Sequence, residues 1–178
     1  MSSFMSRIVR AAKLDASLYG EVKADKRALG QAVGIVVCSG LASGVGGAAS
    51  GGIGILKMTI LVLVIWYVWS FIAYIIGARL LAEDQTKTDH GELLRTVGFA
   101  FTPGLFRIMG IIPIPMIKGM VFFATTIWML IALVIAVKQA LDYKSTFRAV
   151  GVFLFSSIVQ AIIFLFLSFV LGGAGKPV

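Results

Sequence analysis

Apolar residues in this chain come in long blocks separated by short polar intervals, and the blocks set the architecture. About 20 consecutive apolar residues cross the hydrocarbon core of a bilayer, so each block of that length predicts one membrane-spanning helix. The pattern predicts spans over 28–49, 53–81, 93–112, 117–137 and 149–171. A polar head over 1–27 precedes them and a flexible tail over 172–178 follows. The expected fold is an all-α integral membrane protein with five transmembrane helices.

Each block has its own texture. In the head, Phe4, Met5, Ile8, Val9 and Ala12 share one helical face while Arg7, Arg10 and Lys13 share the other. That layout predicts a short amphipathic helix lying in the membrane interface, its cations towards anionic headgroups. In the first span Gly40, Gly44, Gly47 and Gly51 follow i, i+4, i+7, i+11 spacing, a stripe that lets helix backbones approach closely in lipid. Either the helix continues along this stripe, or it ends near Gly46 and the remainder is an outer loop. Trp66, Tyr67, Trp69 and Tyr74 fall near the middle of the second span, where aromatic rings pack against neighbouring helices. Pro103 and Gly104 sit at the centre of the third span and predict a bend. Pro113 and Pro115 predict a short, stiff, apolar hairpin before the fourth.

Composition agrees with a membrane solvent. Of 178 residues, 59% are hydrophobic and 13% charged, and the mean hydropathy is +0.99. A soluble domain of this size leaves too many residues facing water to hide so much apolar surface. The single cysteine, Cys38, forms no intramolecular disulfide and is expected to be a small buried hydrophobe. The first span, behind a charged head too long for a cleavable leader, is expected to act as an uncleaved signal anchor.

A net charge of +8 could suggest nucleic acid, but the cations flank hydrophobic spans, and orientation explains them better. With five spans, twelve of the sixteen Lys and Arg residues fall on the side of the N-terminus. All eight acidic residues and the one histidine fall there too. The expected placement is a bacterial inner membrane, with the N-terminus cytoplasmic and the C-terminus periplasmic.

The search for chemistry returns little. The spans hold no Asp or Glu of the kind that marks a proton or ion path. His90 lies in the polar loop 82–92 beside Glu83, Asp84, Asp89 and Glu92, with nothing to fix a metal geometry. No phosphate-loop or metalloprotease motif occurs. The chain is expected to be non-catalytic, without cofactor or metal. Arg107 is the one charge at possible depth: it either snorkels to the headgroups or needs a carbonyl, a lipid phosphate or a partner carboxylate.

Three segments resemble the Yip (Ypt-interacting protein) family. Gly98-Phe99 through Pro103 is similar to the family's GY-x-x-x-P pattern, with Phe99 in place of Tyr. Trp128 through Leu141 is similar to the fourth helix of bacterial members, and Lys144 through Arg148 to the lead into the last helix. Leu18-Tyr19-Gly20 resembles part of the eukaryotic D-L-Y-G-P motif, with Glu21 in place of proline. The resemblance implies a five-helix membrane domain over 28–171 with a cytosolic N-terminus, and roles in vesicle trafficking and membrane shaping among eukaryotic members.

Three functions follow as expectations. The glycine stripe and small polar parts suggest a scaffold or accessory subunit packing against other integral membrane proteins or itself. The amphipathic head and the proline hairpin suggest a membrane-shaping or lipid-organising protein in contact with anionic lipids. A small permease rests only on the bend at Pro103 and on Arg107, and five spans without inverted repeats fit it poorly.

Overall fold

The computed structural model describes residues 3–47 and 51–173. Among them run seven α-helices: α1 (Phe4–Ala12), α2 (Ala16–Ala24), α3 (Ala28–Gly46), α4 (Gly51–Ile75), α5 (His90–Ala100), α6 (Pro115–Ala140) and α7 (Thr146–Gly173). A π-helical turn, Ile76–Leu80, continues α4, and a 3-10 helix, Thr102–Ile111, follows α5. Four helical stretches are long and apolar enough to cross a membrane: Ala28–Gly46, Gly51–Leu80, Pro115–Ala140 and Thr146–Val170. The described chain is helical and membrane-embedded.

The third expected span, 93–112, is not a continuous α-helix. It divides into α5 and the 3-10 helix at Phe101, just before Pro103. Proline offers no N–H to an α-helical ladder. The Thr102 hydroxyl donates to the Phe99 carbonyl at 2.7 Å, and the Gly104 N–H donates to the Phe101 carbonyl at 2.9 Å. Both bonds reach back three residues, which tightens the turn into a 3-10 helix. At Pro115 the outcome is reversed. Instead of breaking the chain, it opens α6 from the first turn, where a missing N–H costs nothing. The fourth span therefore begins inside the expected hairpin.

α3 is the hub. Gly40 and Gly44 lie against α4, where an added Cβ would come within 2.8 Å of the Thr59 Cα and 3.0 Å of the Ile55 Cα. As α3 advances its contacts on α4 recede, so the two helices are antiparallel. Ser39, Ser43 and Gly46 face a second neighbour, the 3-10 helix. Ala32 meets Gly98, Ser39 meets Gly104, and Gly46 meets the Arg107 carbonyl and Gly110. Both numbers rise together, so α5 and the 3-10 helix run parallel to α3. A 3-10 helix is thinner and longer per residue than an α-helix, which suits this close path along small side chains.

The expected glycine stripe holds over its first half only. α3 ends at Gly46, and Gly47 closes it. Gly51 opens the next helix with φ +68°, a left-handed backbone that glycine adopts without cost. Gly51 is therefore not on the α3 face. Residues 48–50, of which 48 and 49 belong to the expected first span, lie outside the described residues, as do 174–178 of the expected tail. Gly172 and Gly173 are the last residues of α7.

Tryptophans lock the outer helices. The Trp66 indole donates to the Leu94 carbonyl of α5 at 3.3 Å, and the Trp69 indole donates to the Ser157 hydroxyl of α7 at 3.2 Å. Gln160 of α7 donates to the Ile65 carbonyl at 3.0 Å, so α7 is antiparallel to α4. Trp66 and Trp69 pack as expected, whereas Tyr67 is 54% exposed and meets His90 edge-on.

The polar head holds a second helix, α2, after the short one expected from its pattern. α1 closes on Leu14 at φ 59°, with the Leu14 N–H bonded to the Ala11 carbonyl and the Asp15 N–H to the Arg10 carbonyl, both at 3.0 Å. That is the hydrogen-bond pattern of a left-handed helix cap, here made without glycine. Asp15 then caps α2 by accepting from the Ser17 N–H at 2.9 Å. Leu18, Tyr19 and Val22 of α2 are fully buried, and α2 packs on α5 and α6.

Candidate functional site

Two arginines define the polar chemistry of this fold, one in the N-terminal helical hairpin and one in the 3-10 helix. Arg7 of α1 is 3% exposed. Its Nε and Nη2 donate to the Glu21 carboxylate at 3.0 and 2.8 Å, Nη2 also to Asp25 at 2.8 Å, and Nη1 to the Gln31 amide oxygen of α3 at 2.9 Å. Arg10 donates to Asp15 at 2.7 Å, to the Ser17 hydroxyl at 3.0 Å and to Glu21. These contacts have electrostatic consequences. The Ser17 hydroxyl and the Arg10 guanidinium hold the Asp15 carboxyl down to about 2, and the Arg7 guanidinium holds that of Asp25 below its ordinary value.

This corrects the expected interfacial helix in one respect. Arg7 and Arg10 turn inward to carboxylates of the same chain rather than towards lipid headgroups. Phe4, Met5 and Val9 turn outward, with Met5 67% exposed. Ile8 is half-buried against the core, and Lys13 is exposed. The physical reason is proximity within the chain: the turn at Leu14 folds α2 back beside α1, which brings Glu21 and the flanking Asp15 and Asp25 within charge-assisted hydrogen-bond reach of both guanidiniums.

The hairpin is bolted to the bundle. Arg95 of α5 donates to the Val22 and Lys23 carbonyls, satisfying the C-terminal end of α2. Lys23 pairs with Asp142, and the Trp128 indole donates to the Ala12 carbonyl at 3.0 Å. Trp128 lies near the midpoint of α6, so the turn between α1 and α2 reaches well down the flank of the bundle. Glu83 completes this polar end with a salt bridge to Arg148 at 3.6 Å and a bond from the Lys144 N–H at 3.1 Å.

Arg107 is a different case. Its Nε donates to the Thr125 hydroxyl at 3.3 Å, Nη1 to Ser43 at 3.4 Å, and Nη2 to Thr126 at 3.0 Å. The guanidinium carbon stands 5.3 Å from the centre of the Phe122 ring. Each hydroxyl spends its own proton on a helix carbonyl: Ser43 on Ser39 at 2.8 Å, Thr125 on Val121 at 2.8 Å, Thr126 on Phe122 at 2.7 Å. Three oxygen lone pairs therefore face the cation. They solvate its charge without neutralising it, and among the described residues no carboxylate pairs with it. An arginine at membrane depth costs roughly 3 kcal/mol or more, so such a cradle matters.

The remaining expected residues separate into packing and surface. Gly98 abuts Ala32, where a Cβ would sit 2.6 Å away, and Pro103 is buried at the start of the 3-10 helix. Gly40, Gly44 and Gly98 thus pack helices inside the chain. Cys38 is exposed on α3, against the expectation of burial, because the small buried faces of that helix lie elsewhere. The acidic loop does not converge on His90. Glu83 turns to Arg148, Asp89 caps α5 through the Glu92 N–H at 2.7 Å, and His90 packs against Tyr67, Phe71 and Tyr74.

Sequence reasoning missed Gln31, Ser43, Thr125, Thr126 and Lys118. The signal was present at Ser43, Thr125 and Thr126, since hydroxyls inside spans commonly bond back to their own helix or across to a neighbour. No family model, curated protein or solved structure matches the chain.

Proposed function

We propose that this chain is a non-catalytic, five-span membrane protein that organises lipid by wedging one leaflet with its N-terminal hairpin. The observation behind this reading is the inverted α1, with Arg7 inward and Phe4, Met5 and Val9 outward, fixed along part of the bundle only. A helix with apolar residues outward and cations tied to protein is arranged for contact with acyl chains. Mass added beside one half of a bundle broadens it in one leaflet.

The fifth crossing would be α5 with the 3-10 helix. Together they follow α3 from Ala32 to Gly46, a rise of roughly 21 Å at 1.5 Å per residue. Running parallel to α3 and antiparallel to α4 and α6 is the direction a third span requires. The excess of Lys and Arg on the hairpin side supports a cytoplasmic N-terminus. The Yip resemblance, in its bacterial branch and inner-membrane setting, belongs to the same proposal. Leu18 and Tyr19 are enclosed by the fold, which favours a packing role for that segment over capture of a partner.

The scaffold reading loses one support. Gly40 and Gly44 are spent on α4 and are not available to another protein. What favours it still is the polar end where Lys23 pairs with Asp142 and Glu83 with Arg148, an ordered surface for a membrane partner.

Reconstitution into vesicles tests the wedge. The wild-type protein should shrink or tubulate vesicles as protein density rises, and the double substitution Met5→Glu with Val9→Glu should abolish that while leaving the bundle folded. Unchanged vesicle shape with the wild-type protein sinks the reading. A stoichiometric membrane protein retained through mild-detergent purification would establish the scaffold instead.

A further inference from the structure

At the end of the bundle away from the acidic residues, Lys118 lines a recess, and Arg107 stands over the Phe122 ring that forms part of its wall. Arg107 rests on the Phe122 ring, and Lys118 precedes Phe122 by one turn of α6, on the same helical face. The Lys118 ammonium donates to the Gly47 carbonyl at 2.9 Å, the last turn of α3. Lys118 lines two adjoining recesses, of about 510 Å³ and 440 Å³, the first walled by Val45, Ile112 and Pro115, the second by Gly47, Pro115 and Phe122.

Donor counting shows that both cations have capacity left. A guanidinium carries five N–H groups and an ammonium three. Arg107 directs three bonds to hydroxyls and Lys118 one to a carbonyl. The acceptors are all neutral, and all eight Asp and Glu side chains lie in the hairpin, the loop 82–92 and the turn after α6. The site is therefore built to orient positive charge, and among the described residues no negative charge balances it.

We infer that Arg107 and Lys118 bind the phosphate of an anionic phospholipid whose acyl chains lie against Val45, Ile112 and Phe122. The walls select the lipid over a soluble anion. They are apolar, and the rim continues into Ile111, Ile114 and Met116, which are 64%, 48% and 75% exposed and would face acyl chains. Arg107 supplies paired donors to phosphate oxygens and Lys118 a point charge, the usual division of labour between these side chains. This inference requires the chain to be membrane-embedded but not the hairpin to be a wedge. Vesicle shape reads one, and lipid-dependent stability reads the other.

The test uses the full chain, purified in a nonionic detergent and delipidated, with thermal unfolding and intact-complex mass measurement as readouts. Phosphatidylglycerol should raise the unfolding midpoint saturably and remain bound at one copy per chain. Phosphatidylcholine of the same chain length, and inorganic phosphate, should do neither. Arg107→Gln or Lys118→Gln should weaken phosphatidylglycerol binding by about tenfold or more, as expected for one lost charge-assisted hydrogen bond. Arg107→Lys should retain part of it, and Lys87→Gln, in the acidic loop, all of it. Should Arg107→Gln fail to fold, Lys118→Gln decides alone. Equal protection by phosphatidylcholine or by inorganic phosphate overturns the inference, as does undiminished phosphatidylglycerol binding by Lys118→Gln.

Discussion

Arg7 and Arg107 are the same side chain in two solutions to the same problem. Arg7 is closed: two carboxylates and an amide oxygen answer its donors, and a side-chain exposure of 4% leaves no room for more. Arg107 is open: neutral hydroxyls and an aromatic face hold it, and that aromatic ring forms part of the wall of a recess. A buried charge matched inside the chain stabilises structure, whereas one that is merely solvated keeps attraction for an outside anion. The difference divides the molecule into an end that ties its own parts together and an end with charge to spare.

The most damaging way to break the contrast acts on Gly46. A Cβ there would collide with the Arg107 carbonyl, so Gly46→Val must push the 3-10 helix off α3 and dismantle the Ser43 contact. A backbone collision of this kind should cost more than about 3 kcal/mol, seen as loss of folded protein in detergent. Gly34→Ala, on the same helix with open space around it, should change nothing measurable.

Arg7→Ala attacks the closed end. It leaves Glu21 and Asp25 without this partner, and because both carboxylates keep some solvent the cost should be about 2 kcal/mol, below that of a fully buried pair. Faster proteolysis between Lys13 and Arg27, with the spans intact, is the expected outcome. Unchanged proteolysis would mean that Arg7 does not hold the hairpin.

Acid should separate the two ends next. Asp15 and Asp25 titrate below their ordinary values in the folded chain, Asp15 at about 2. Depressed carboxylates stabilise the fold above the unfolded value near 4 and lose that contribution as pH falls through the folded one. The hairpin should therefore loosen between about pH 4 and 2, while the Arg107 cradle, which has no carboxylate, stays put. Trp128 fluorescence reports on the hairpin, since its indole bonds to Ala12. Loosening already at pH 6 would assign the docking to other groups.

The smallest effect belongs to Trp128→Phe. It removes the indole bond from α6 to the end of α1 and should weaken hairpin docking by about 1 kcal/mol, read by the same proteolysis assay. No effect on phosphatidylglycerol binding is expected.

Element by element, legibility followed how local the signal was. α4, α6 and α7 were readable within a few residues because hydropathy needs no neighbour. Pro115 was misread as a breaker because proline acts in opposite ways inside a helix and at its first turn, and only the chain path before it decides which. α2 was not foreseen because the left-handed turn that lets it start directly after α1 uses Leu14, not glycine. One small-residue face of α3 was found through Gly40 and Gly44, and the other was overlooked because Ser39 and Ser43 do not stand out among polar residues.

By itself the sequence determined that the chain lives in lipid, that its long segments are helices, and that its acids gather on one side, since solvent transfer and charge are properties of residues one at a time. Only the tertiary structure decided that Arg7 is matched and Arg107 is not, that the cationic face of α1 turns inward, and that the third segment becomes a 3-10 helix along α3. Those outcomes depend on which side chains meet across separations of 14 to 64 residues, and nothing local to an arginine records who its partners will be.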